Sequence, residues 1–124
     1  MLIVHVALGG LVGTISRYLL QGWVQDRAGV GFPFGTLAVN LAGSFLLGFL
    51  VRYATGSAVM SPELRAGLTV GFCGAFTTMS TFGYESVTLL TGGEYWRAAA
   101  YIGGSGVGCI AAVLAGTALA NKLL

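Results

Sequence analysis

Charge cuts this chain into pieces. Arg17, Asp26, Arg27, Arg52, Glu63, Arg65, Glu85, Glu94, Arg97 and Lys122 are its only Lys, Arg, Asp and Glu residues, and the charge-free stretches between them run over 1–16, 28–51, 66–84 and 98–121. A helix that crosses a bilayer needs about 20 mostly apolar residues. Four spans fit, over residues 2–24, 34–53, 64–90 and 96–119, and little chain is left for loops. The composition agrees: 8% of the 124 residues are charged, against about 25% in a soluble domain. The expected fold is an all-α membrane protein, one domain of four transmembrane helices over residues 1–124. The first stretch lacks a basic leader and a small-residue cleavage site, so it reads as a retained helix and not a signal peptide.

The connections carry turn formers: Gly29, Gly31 and Pro33, then Gly56, Ser57, Ser61 and Pro62, then Gly92 and Gly93. Trp23, Tyr53, Tyr95 and Trp96 stand at span ends, where interfacial aromatics collect. Ser61-Pro62-Glu63 predicts a capped helix start with proline in the first turn. Four spans put both termini on one side with Arg52, Arg65 and Lys122, against Arg27 and Arg97 on the other. Lys/Arg asymmetry orients a membrane protein, and here it is nearly absent. Either the chain inserts both ways and pairs antiparallel, or the count is too small to carry an instruction. Gly9 and Gly13, Gly67 and Gly71, and Gly104, Gly108, Ala112 and Gly116 are spaced for close helix packing in lipid.

Several chemistries are disfavoured. Cys73 and Cys109 fall inside predicted spans, where lone cysteines behave as small hydrophobes. One histidine (His5) and no cluster with metal-ligand spacing argue against hydrolytic or metal chemistry, so no catalytic residue is expected. A net charge of +2 is too small to point to nucleic acid.

What remains is polar residues at helical spacing inside apolar spans. Thr36, Asn40 and Ser44 recur every four residues, as do Tyr101, Ser105 and Cys109, with Thr117 two turns further on. Met79, Phe82 and Glu85 share a face beside Thr78, Ser80 and Thr81. Each stripe alone could be hydroxyls bonding to their own helix or an asparagine joining two helices; three stripes together point to a polar pathway. Glu85 inside a span is a functional candidate by default, unless it reaches the interface, and Arg17 could snorkel or draw anions toward a vestibule. The stretch from Gly71 to Gly83, "GFCGAFTTMSTFG", weakens helix continuity near the middle of the third span. Non-helical backbone survives at that depth only where protein or a polar cavity satisfies it. Such a break frees carbonyls for a hard cation and supplies hydroxyl donors and an aromatic ring edge, which carries partial positive charge, for a small anion.

"GGLVGTISRY" from Gly9, "GTLAVNLAGSFLLG" from Gly35 and "GFCGAFTTMSTF" from Gly71 resemble the CrcB/Fluc family of fluoride channels. The resemblance spans essentially the whole chain. It implies a dual-topology homodimer of antiparallel subunits, with the third helix broken at the midplane and two fluoride pores between the subunits. It also implies a central sodium ion held by backbone carbonyls at positions matching Gly74 and Thr77. Asn40 matches the pore asparagine, Met79 and Phe82 the two pore phenylalanines, Thr36 and Ser80 central hydroxyls, Tyr101 and Ser105 the start of a polar track, and Glu85 a family acid. Thr81 joins Ser80 and Phe82 along the expected path. Met79 departs from the family phenylalanine, Cys109 replaces a hydroxyl, and Val113 leaves the next turn without one. The expected function is passive fluoride export across the plasma membrane. Two other readings stand beside it: a proton-coupled small multidrug-type exporter, and a non-transporting membrane assembly subunit.

Overall fold

A computed structural model describes residues 1–124, and every regular element in it is helical. Helix α1 runs Leu2–Ala28 and stops at Gly29, whose φ of 95° suits glycine and few other residues. Helix α2 runs Phe34–Gly56 and the final helix, α6, runs Tyr95–Leu123. These three are each long and apolar enough to cross a membrane.

The third predicted span is subdivided. Helix α3, Pro62–Ala66, starts as expected, with Ser61 Oγ accepting the Leu64 N–H at 3.1 Å. A π-helical stretch, Gly67–Cys73, follows, then a single turn α4, Gly74–Phe76, and after Thr77 and Thr78 helix α5, Met79–Thr91. Gly71 and Gly74, the residues with least helix propensity here, stay helical. The chain leaves helical geometry later, at Thr77 (φ −95°, ψ 158°) and Thr78 (φ −148°, ψ 109°), both extended. Propensity is thus overridden by packing: Gly71 lies against the Val6 carbonyl of α1, which leaves no space for a side chain. All four helical regions also outrun the predicted spans, because caps and turns, not the limit of the apolar run, end a helix.

Two pairings build the bundle, α2 along α6 and α1 along the π-helical stretch and α4. Both rest on backbone contact, the close van der Waals approach that holds helices together in lipid. A Cβ on Gly9 would overlap the Gly67 carbonyl oxygen, and one on Gly116 would overlap that of Phe45. Gly104, at the head of the α6 stripe, meets nothing. Only 18 of 124 residues are buried, and large apolar side chains such as Leu11, Val70, Val107 and Ile110 lie on the outside. The chain's surface is therefore suited to lipid or to another apolar protein face.

Candidate functional site: a broken helix beside a cavity

The interruption at Thr77–Thr78 exposes backbone that must find partners. Asn40, on α2, supplies two: its Oδ1 accepts the Thr78 N–H at 2.8 Å and its Nδ2 donates to the Thr78 carbonyl at 3.2 Å. The side-chain amide thus imitates a neighbouring strand, and one Nδ2 hydrogen remains for another acceptor. Thr78 Oγ1 accepts the Thr81 N–H at 3.3 Å and donates to Thr81 Oγ1 at 2.9 Å, capping α5. On the other side of the break, Arg17 Nε donates to the Ala75 carbonyl at 3.0 Å. A cation at the carbonyl end of a helical segment is electrostatically favourable.

These bonds divert the donors a continuous helix would use. In an unbroken α-helix the N–H groups of Thr78 and Thr81 would bond the carbonyls of Gly74 and Thr77. Here they go to Asn40 Oδ1 and Thr78 Oγ1. Space where a Gly74 side chain would stand is open. Hard oxygen donors released in this way fit a sodium ion, so the residues present suit the group the resemblance implies.

Two spaces hold most of the polar candidates, and the second is walled by the break itself. The first, about 680 Å³, is a groove lined by Arg17, Gln21, Gln25, Tyr84, Glu85 and Thr88 among others, and it brings Arg17 and Glu85 to one surface. The second, about 480 Å³, has Asn40, Ser44, Gly74, Thr77, Thr78, Met79, Phe82, Ser105 and Cys109 in its wall. Between them stands Tyr101, fully buried, its hydroxyl donating to Glu85 Oε1 at 2.9 Å. The Tyr101 ring packs on Phe82 at 5.1 Å between centroids and meets Phe32 edge-on at 5.5 Å. One turn along α6, Ser105 is 5% exposed and its Oγ has no hydrogen-bond partner.

The expected site residues thus divide. Asn40, Gly74, Thr77, Met79, Phe82 and Ser105 share the second space, while Arg17 and Glu85 share the first. Thr36, Ser80, Thr81 and Tyr101 line neither. Thr36 is buried and accepts from Gln21 Nε2 at 2.9 Å, and Ser80 lies exposed on α5. Met79 is 79% exposed, projecting from the first turn of α5 away from the chain's own core. The sequence reading missed α1's contribution. Gln21 holds Thr36, and Gln25 bonds both the Phe32 carbonyl and the Gly35 N–H at 3.0 Å, fixing the start of α2. The signal was present: Arg17, Gln21 and Gln25 recur every four residues, a fourth polar stripe.

An all-helical, multi-pass membrane protein with a cavity beside an interrupted helix is the class these features define. The chain belongs to the CrcB family: the family model described as CrcB-like protein, Camphor Resistance (CrcB), matches residues 4–117. Among its relatives is a protein of Geobacter metallireducens named fluoride-specific ion channel FluC, 45% identical over 121 residues, 98% of each chain. Proteins of the same name from Hahella chejuensis (48% over 122 residues; 98% of this chain, 96% of the relative) and Chlorobium phaeobacteroides (49% over 116; 94% and 90%) are similar.

Proposed function

We propose that this chain is a fluoride-selective channel, not an enzyme, that lets fluoride leave the cytoplasm passively across the plasma membrane. Its relatives' name supplies the ion, and the observation that carries the reading here is the helix break pinned by Asn40 beside a cavity with an unspent buried hydroxyl at Ser105. A small hydrated anion gives up water only where donors replace it, and it must be held weakly enough to leave. The free Nδ2 hydrogen of Asn40, the Ser105 hydroxyl and the Phe82 ring edge supply such donors without a charged side chain. Fluoride enters cells as its neutral acid and dissociates inside, so passive exit suffices.

The unit we propose is an antiparallel homodimer of dual topology, α3 through α5 together making the third of four spans with its interruption at the midplane. The carbonyls of Gly74 and Thr77 from both subunits would hold the central sodium ion, which supplies a fixed positive charge between the subunits. Thr36, Ser80, Thr81, Tyr101 and Ser105 belong to the fluoride path, with Met79 filling an aromatic station. Arg17 pins the first half of the broken helix. Fluoride efflux from liposomes, run beside chloride, tests the reading.

A further inference from the structure

The second cavity contains chemistry that anion conduction does not use. Both cysteines of the chain stand in its wall, Cys73 from the π-helical stretch and Cys109 from α6. They are not equivalent. Cys73 is 2% exposed, packed among its neighbours, whereas Cys109 is only half-buried. Ser105 precedes Cys109 by one turn on the same helix face, and its buried Oγ has no partner. An unsatisfied buried hydroxyl is costly and marks a wall built to meet something polar. Gly106 and Ile110 complete this face of α6 in the cavity wall.

We propose that Cys109 is a modification site facing the anion path, open to small cationic thiol-exchange reagents, and that its modification closes the path. The inference rests on the channel reading given above. With 2-aminoethyl methanethiosulfonate the Cys109 thiolate attacks the sulfenyl sulfur. A disulfide forms between Sγ and the aminoethylthio group, the S–SO2 bond breaks, and methanesulfinate leaves with the electron pair; the thiol proton goes to water. The added group is small beside a cavity of about 480 Å³. It carries an ammonium, which would hold an anion where conduction requires weak binding. Cys73, packed at 2% exposure, stays unmodified in the folded protein.

The test uses the full chain in liposomes, with fluoride efflux and peptide mass mapping read on the same sample. Expected are a single adduct at Cys109, efflux reduced to that of protein-free liposomes, and recovery with dithiothreitol. Cys109→Ser and Cys109→Ala should conduct and ignore the reagent, and Cys73→Ser should remain sensitive. An unlabelled Cys109 in protein that conducts would overturn the site, and labelling without loss of efflux would overturn its place on the path. Inhibition that survives in both Cys109 variants would assign the effect elsewhere and overturn it too. Untreated protein that passes no fluoride would refute the channel reading and the closure together, while the peptide map would still decide whether the reagent reaches Cys109.

Discussion

Asn40 and Thr78, 38 positions apart in the chain, are joined by two hydrogen bonds that make a side-chain amide serve as backbone. The interruption of the third helical region is therefore a built feature, supported from α2. Replacing Asn40 with Ala leaves an N–H and a carbonyl without partners in an apolar setting, at a cost of about 1–3 kcal/mol. Thermal unfolding in detergent should show that loss. Asn40→Asp keeps the acceptor for the Thr78 N–H but, ionised, cannot donate to its carbonyl, and it places negative charge beside the proposed anion path. Repulsion between that carboxylate and the Thr78 carbonyl should leave it no more stable than Asn40→Ala, and it should pass no fluoride.

Arg17 acts on the other half of the break through the Ala75 carbonyl. A hydrogen bond from a charged donor is worth about 1.5–3 kcal/mol, so Arg17→Ala should lose stability on that scale. Arg17→Gln separates position from charge. If the guanidinium only pins the turn, Gln restores both stability and flux; if its charge also draws anions, stability returns and flux stays low. The structure predicts that stability recovers in Arg17→Gln, as a denaturant titration would show.

Tyr101 and Glu85 test how the wall between the two spaces is held. Tyr101→Phe keeps the ring against Phe32 and Phe82 but removes the bond to Glu85, for a loss of about 1 kcal/mol. Glu85→Gln keeps an acceptor for the Tyr101 hydroxyl and abolishes proton exchange at that position. A channel should still pass fluoride with this substitution and without any pH gradient. A proton-coupled exporter would stop, and flux assays at matched and unmatched pH separate the two.

Glycine contacts give a contrast within one helix. Gly116→Ala on α6 drives a methyl group into the Phe45 carbonyl, and overpacking of this kind costs about 1–3 kcal/mol. Gly104→Ala, on the same helix, meets nothing within the chain and should leave unfolding of the chain itself unchanged. Size-exclusion profiles of the pair add a second reading: a change confined to Gly104→Ala would place that open face in the proposed dimer contact.

Met79→Phe puts an aromatic ring, the residue the sequence resemblance implies, at a position 79% exposed in the single chain. Fluoride flux should persist and its rate change. A stable dimer that no longer conducts would show that Met79 is not a station on the path.

Much of this was legible in the residues. Charge-free stretches gave the helical regions, and four-residue spacing on α2 and α6 picked out Asn40, Tyr101 and Ser105. The stretch Gly71–Gly83 was legible as the weak point of the third span, but its glycines and threonines together did not say which residues leave the helix. Gly71 stays helical and admits the backbone of α1, Gly74 stays helical with open space beside it, and the break falls at Thr77–Thr78 where Asn40 supplies the replacement bonds. Arg17's role was equally hidden, since its partner is a carbonyl 58 positions away. Tertiary hydrogen bonds to backbone leave no trace in composition or period.

The measurement closest to the central claim is efflux from liposomes holding the purified protein, fluoride and chloride recorded in parallel. The account predicts rapid fluoride loss and chloride loss no faster than from protein-free liposomes. A folded, correctly reconstituted protein that releases neither ion, or both alike, would contradict it.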